Sequence, residues 1–231
     1  MQHHSINSNT LRLLYPQWQA GDIAALVPEL SKKDSSLGYY LGAELLEFLA
    51  PKNVTSKTAK VPISLEYPKS GVRESKNGIL NYDEIVKQSK AALEILKKYK
   101  PDKILTLGGE CSVSVVPFSY LANKYKDDVA IVWIDAHKDL NLQGDSYEGY
   151  HAMALAATFG LIDKEGIAKI LPAHFNPKDS IIVGLRYFEG KKERLEEIGV
   201  KYLSPEESRD SKKLLEWLKS RGKSKVVVHL T

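Results

Sequence analysis

Val129-Ala130-Ile131-Val132-Trp133-Ile134-Asp135-Ala136-His137-Lys138-Asp139 is an unbroken apolar run followed at once by two carboxylates and an imidazole. An apolar run this short, rich in β-branched residues and without alternation, reads as a strand covered on both faces, the kind found in parallel sheets. Ile181-Ile182-Val183 and Val226-Val227-Val228 repeat the pattern further along. Working outward, strands are expected at Leu11–Tyr15, Val61–Glu66, Lys103–Leu107, Val129–Ile134, Ser180–Leu185, Val200–Leu203 and Lys225–Leu230.

Amphipathic stretches fall between these runs. Asn81 is placed to cap a helix reaching Tyr99, with Glu84 as its capping-box partner and Pro101 as its stop. Along it Ile85, Val86, Ala92, Leu93 and Leu96 recur at helical spacing, and Lys87, Lys90, Glu94 and Lys97 take the other face. Ser204-Pro205-Glu206-Glu207 reads as a second helix start, with Leu214, Leu215 and Leu218 as the buried stripe. Lys52–Lys60 and Pro68–Gly78 read as loops. Strands alternating with helices predict an α/β fold: a three-layer α/β/α sandwich around a mostly parallel sheet, formed by residues 1–231 as a single domain.

Composition narrows the function. The 231 residues are 43% hydrophobic and 27% charged, ordinary soluble usage. The 33 Lys and Arg against 29 Asp and Glu give +4, spread too thinly to argue for nucleic acid. No run approaches the roughly 18–20 apolar residues that span a bilayer, and the N-terminus carries no apolar signal segment. One cysteine, Cys111, excludes an intramolecular disulfide. A cytoplasmic protein without nucleic-acid or membrane partners is expected.

In open parallel sheets, ligands bind beyond the carboxyl ends of the strands. Two expected strands end in reactive residues. Lys103–Leu107 leads into Gly108-Gly109-Glu110-Cys111-Ser112, and Val129–Ile134 leads into the Asp135–Asp139 cluster. With the backbone extended past Ile134, residues 135, 137 and 139 would alternate onto one side. Two adjacent carboxylates repel and are costly to desolvate, so a cation is the natural resolution. Oxygen-rich ligation with an imidazole suits Mn²⁺ best, with Zn²⁺, Fe²⁺ or Ni²⁺ as alternatives. Read alone, the same pattern also fits a solvated acidic loop, and Cys111 fits a small buried hydrophobe.

Three segments in order resemble the arginase/agmatinase/formiminoglutamase (ureohydrolase) family. They are Leu107-Gly108-Gly109-Glu110-Cys111-Ser112, Trp133-Ile134-Asp135-Ala136-His137-Lys138-Asp139-Leu140-Asn141 and Gly149-Tyr150-His151-Ala152-Met153-Ala154-Leu155-Ala156. They are similar to the family's G-G-D-H-S, D-A-H-x-D-x-N and H-G-M-P-L-A-like signatures. The resemblance implies a binuclear Mn²⁺ centre whose activated hydroxide attacks a guanidinium carbon and releases urea. It places Cys111, Asp135, His137 and Asp139 as metal ligands and Asp139 and His151 in catalysis. Asn141 and Ser146 would contact a small guanidino substrate, and a homo-oligomer is expected. Gln143, Asp145 and Glu148 are further candidates for substrate contact, or ordinary turn residues.

Departures from the pattern shape these expectations. Cys111 stands where most of the family has a histidine ligand, and Glu110 where it has Asp; a thiolate tilts preference toward Zn²⁺ or Fe²⁺. Ala152 follows His151 where the family has Gly. A later D-x-D-x-x-D-P signature would follow Lys225–Leu230, beyond Thr231, so a C-terminally incomplete site is expected. His229 reads as a packed strand residue, and Lys191-Lys192-Glu193-Arg194 and Lys212-Lys213 as solvated helix faces. A non-catalytic arginase-like binding protein and a single-metal deacetylase-like hydrolase are the competing readings.

Overall fold

In the computed structural model, which describes residues 9–51, 57–187 and 193–231, the apolar runs form parallel strands with helices on both sides. In chain order the elements are β1 (Thr10–Tyr15), α1 (Lys32–Leu49), β2 (Lys57–Lys60), β3 (Ser75–Lys76), β4 (Ile79–Leu80), α2 (Tyr82–Tyr99) and β5 (Lys103–Gly108). Then come α3 (Val115–Tyr125), β6 (Val129–Ile134), α4 (Ala154–Thr158), α5 (Ile167–Ile170), β7 (Ser180–Val183), α6 (Glu193–Ile198), β8 (Lys201–Leu203), α7 (Ser211–Arg221) and β9 (Lys225–Leu230). Two parallel sheets result, ordered β2-β1-β5 and β8-β7-β6-β9, and β3 and β4 make a small antiparallel hairpin.

Alternation along each strand sorts side chains into two cores. Leu11, Leu13, Ile131, Trp133 and Ile182 face the larger core with α2 and α3, while Val132, Ile181, Val183 and Leu203 face Leu214, Trp217 and Leu218 of α7. Burial on both sides is why these runs are continuously apolar. No described helix is long and apolar enough to cross a membrane.

The expected strand at Val61–Glu66 is instead Lys57–Lys60, inside the stretch read as a loop. Its pairing to β1 runs Leu11↔Lys57 to Leu14↔Lys60, and Val61 adds only an N–H to Leu14 O at 2.9 Å. An edge strand half open to water needs no apolar run, so composition hid it. Asn81 precedes α2 in the left-handed conformation, with its side chain donating to Gln19 O (2.8 Å) rather than capping the helix. Ser204 and Glu207 do form the reciprocal pair, with Glu207 N to Ser204 Oγ at 3.2 Å and Ser204 N to Glu207 Oε2 at 3.0 Å. They close only a short 3₁₀ turn, and α7 begins later, capped by Asp210. Leu215 points to solvent rather than into the stripe.

Residues from both sheets, along β5 and β9, line a cavity of about 850 Å³; among its walls are Leu105, Leu107, Phe118, Val226 and Val228. Val226, Val228 and Leu230 remain exposed on β9, while Val227 and His229 are buried.

Arg12 of β1 is buried to 1% exposure, donating to Glu47 Oε1 (3.4 Å) at the end of α1 and to the Pro51 carbonyl. Truncating one partner of a buried pair strands the other. Arg12→Ala is therefore expected to cost about 3–5 kcal/mol in denaturant unfolding, with the double replacement Arg12→Met and Glu47→Leu recovering most of it.

Candidate metal centre

The loop after β6 is shaped by its own first carboxylate. Asp135 Oδ1 accepts the His137 N–H at 2.8 Å, an Asx-type turn that bends the chain where extended backbone was expected. The Ala136 carbonyl accepts from Arg186 N and Tyr187 N, both at 2.9 Å, and fixes the bend to the segment after β7. His137 is consequently turned outward: its side chain is 51% exposed and its ring stacks on Tyr187 with centroids 5.0 Å apart. Asp139 returns to the interior in the left-handed conformation (φ 48°), which Asp tolerates better than most residues. Its carbonyl accepts from Leu155 N (3.0 Å) and Ala156 N (3.2 Å), satisfying donors at the start of α4.

The turn after β5 is set by Glu110. Its carboxylate accepts from Gln17 Nε2 (2.8 Å), Ser112 N (2.8 Å) and Ser112 Oγ (2.8 Å), capping the 3₁₀ turn Cys111–Ser114. Burial pushes this carboxyl up to about 7, partly offset by those donors. Gly109 lies flat against the chain after β1, and a Cβ there would overlap the Gln17 carbonyl oxygen.

These two turns and β9 bring together Cys111, Asp135, Asp139 and His229, whose donor atoms all lie within 4.8 Å of one another. Cys111 Sγ is 3.9 Å from Asp135 Oδ2, and His229 Nε2 is 3.6 Å from the same oxygen. Asp135, Asp139 and His229 are buried to 3%, 4% and 6% exposure. Burial, then the neighbouring Asp135, pushes the Asp139 carboxyl well above the usual range. Burial followed by both aspartates does the same to the Cys111 thiol. For Asp135, burial raises the carboxyl but His229 and the His137 N–H outweigh it, leaving it below its ordinary value. Asp139 Oδ2 and His229 Nε2 have no hydrogen-bond partner. Two buried polar atoms without partners, among acids that oppose one another's ionisation, suit a cation.

Cys111, Asp135 and Asp139 thus gather as the sequence suggested and His229 joins them, while His137 lines the open side of the same cavity with its Nδ1 3.4 Å from Asp135 Oδ1. The signal for His229 was strand parity: it alternates with Val227 on the buried side of β9 and pairs in register with Trp133.

A cavity of about 540 Å³ opens onto this cluster, lined also by Asp22, Tyr39, Asn141, Tyr147 and His151. His151 Nε2 and Tyr147 Oη lie 2.7 Å apart, and Asp22 N donates to the same hydroxyl at 3.1 Å. Burial, then His137, lowers His151 to about 4. Asn141 lines the cavity, but Ser146 is exposed and does not, because the loop before it is folded away by its own bonds. Gln143 accepts from Asp163 N (2.7 Å) and donates to Asn77 O (2.6 Å), and Asp145 accepts from Leu142 N (2.9 Å). Arg194, expected on a solvated face, donates to both oxygens of Asp145 and to Leu140 O (3.2 Å).

A model of the arginase family matches residues 51–231, well over half of the sequence. The chain belongs to the arginase family. The arginase of Entamoeba histolytica is 26% identical over 210 residues, spanning 84% of this chain and 69% of that protein. The arginase of Bacillus subtilis is 30% identical over 168 residues, spanning 69% of this chain and 54% of its own length. The crystal structure of the Entamoeba histolytica arginase with L-ornithine superposes with a TM-score of 0.74 at 19% identity, covering 95% of this chain and 73% of that one. This arginase-family chain therefore spans about half to three quarters of the length of these relatives.

Two variants test the scaffold. Gly109→Ala is expected to cost about 3 kcal/mol in denaturant unfolding, because the opposing atom is backbone. Asp145 is held below the ordinary carboxylate range, first by Arg194, so this pair stabilises the fold above the unfolded carboxyl pKa and is lost as pH falls through the folded value. Arg194→Ala should accordingly lower the thermal midpoint at pH 7, and the gap to wild type should close as pH falls below the ordinary carboxylate range.

Proposed function

We propose that this chain is a metal-dependent hydrolase of a small linear guanidino compound, of the arginine or agmatine type, releasing urea and an amine. The observation that carries the reading is the convergence of Cys111, Asp135 and Asp139 beside His151 at the foot of one cavity. When bound, a divalent metal supplies Lewis acidity that makes water nucleophilic near neutral pH.

The chain's own groups do the rest. The Asp22 carboxylate lines the cavity away from the donor cluster and favours a cationic guanidinium over an anionic ligand. Asn141 offers a polar contact to the substrate on the same wall. His151 is neutral at rest because burial disfavours its cation. A proton taken up on this ring passes readily to the far more basic leaving amine. Tyr147, held by Asp22 N, fixes the imidazole through its 2.7 Å contact. Guanidinium is resonance-stabilised, so orientation and proton delivery both matter to its breakdown.

The test is urea release from arginine, agmatine and related guanidino compounds after loading with Mn²⁺, Zn²⁺ or Fe²⁺ in turn. Turnover of one of them is expected, and bound metal without urea from any would sink the reading. His151→Asn is expected to lower kcat by about 10²–10⁴-fold while leaving metal content unchanged.

A further inference from the structure

Among the described residues β5 pairs only with β1, and β9 only with β6, so each strand keeps one open edge. Both strands line the cavity of about 850 Å³ from end to end. Parity tells which backbone groups face it. Gly109 N donates to Tyr15 O and Thr231 N to Ile134 O, both at 3.2 Å, and successive residues of a parallel strand point to opposite sides. Ile104, Thr106 and Gly108 of β5 therefore turn their N–H and C=O groups away from β1. Val226, Val228 and Leu230 of β9 turn theirs away from β6. The walls above and below are apolar: Pro117, Phe118 and Leu121 of α3 lie on the face that holds Leu11 and Leu13, and Leu46 of α1 on the face that holds Arg12.

We propose that this cavity is a strand-addition slot, taking one extended apolar segment of another polypeptide between β5 and β9 and parallel to both. An acyl chain would suit the walls but would leave the backbone groups of two edges without partners, which is costly once water is displaced. A strand satisfies both edges at once and presents side chains to both faces. The size agrees. β5 and β9 are six residues each, and a strand of that length is about 20 Å long, about 4.8 Å wide and about 10 Å deep, roughly 950 Å³ in all. Every pairing in the two sheets is parallel, and the charges at the two mouths favour the same direction. Lys103 and Lys225 stand at one mouth, where Asp102 and Asp128 are themselves held by Lys124 and Lys225; Glu110 stands at the other. A parallel segment with carboxylates just before its apolar run meets the lysines and keeps those acids away from Glu110. The continuous apolar runs of the 231 residues are already used in β1, β5, β6, β7 and β9, so the segment belongs to a partner, Val/Ile-rich and acidic on its N-terminal side.

The probe is a fluorescein-labelled peptide, two acidic residues followed by a short Val/Ile/Thr run, added to the 231-residue chain and read by fluorescence anisotropy and amide hydrogen exchange. Expected are saturable one-to-one binding and new protection of the Ile104, Thr106, Val228 and Leu230 amides. N-methylation of alternate peptide amides keeps every side chain and should weaken binding by about 10-fold or more. Val228→Pro removes a donor that faces the slot and spares the bonds to β6, so it should fold by circular dichroism and bind about 10-fold more weakly. A nitroxide on the peptide N-terminus should broaden the NMR signals of Lys103 and Lys225 and spare those around Glu110. Absence of saturable binding, equal binding of the N-methylated peptide, palmitate bound more tightly than the peptide, or broadening at the Glu110 end would overturn the proposal. Protection of the same amides by self-association, without peptide, would overturn the partner and give the slot to a second copy. If Val228→Pro fails to fold, the N-methylated peptide decides. No readout involves metal or urea, so failure here leaves the hydrolase reading standing.

Discussion

The mutual repulsion of buried acids is the constraint on which the rest of the site depends. Asp135 and Asp139 are almost fully withdrawn from water, with the Cys111 thiol between β5 and β6 turns adding a third acidic group. Each group's ionisation opposes that of its neighbours, which is why burial and charge together push Asp139 and Cys111 away from their ordinary ionised states. A protein keeps such a cluster only if something compensates it, either protons or a cation. The surrounding structure is arranged to hold the cluster in place rather than to relieve it.

That arrangement is visible in how the loop after β6 is tied. Asp135 bends the chain through the His137 N–H, Ala136 is fastened to the segment after β7, and Asp139 caps α4 with its carbonyl. Arg194 reaches from α6 to Leu140 and Asp145 and closes the far end of the same loop. The left-handed backbone at Asp139 is strained for most side chains, and it persists because bonds on either side determine it. Loop positions fastened this thoroughly keep donor atoms fixed before any ligand arrives, which is the usual requirement of a metal or catalytic site.

Most of the fold was legible because parallel strands buried on both faces must be continuously apolar, and such runs at Val129–Ile134 and Ser180–Val183 announce themselves; Lys225–Leu230 is as apolar although Val226, Val228 and Leu230 stay exposed. β2 was not legible, because an edge strand of Lys57-Thr58-Ala59-Lys60 is selected by pairing with β1 and not by burial. The site was legible where chemistry is local, at Cys111, Asp135 and Asp139. It was misread where an extended backbone was assumed: the Asx turn that sends His137 outward depends on a side chain bonding its own loop, which residue spacing does not encode. Arg194 and His229 were missed for a different reason. Their roles come from partners 49 and 115 positions away in sequence, Asp145 and Ser114, and only tertiary structure brings these together.

The long cavity bordered by β5 and β9 bears on how the molecule is held together. The strands on its two sides belong to separate hydrogen-bonded sheets, so this part of the domain is a seam without backbone pairing among the described residues. The donor cluster straddles that seam: Cys111 and Ser114 follow the last strand of one sheet, while Asp135, Asp139 and His229 belong to the other. A cation seated there would act as a clasp between two half-sheets as well as a reaction centre. Its binding free energy would then be coupled to how firmly the halves stay closed, joining cohesion of the fold to occupancy of the site.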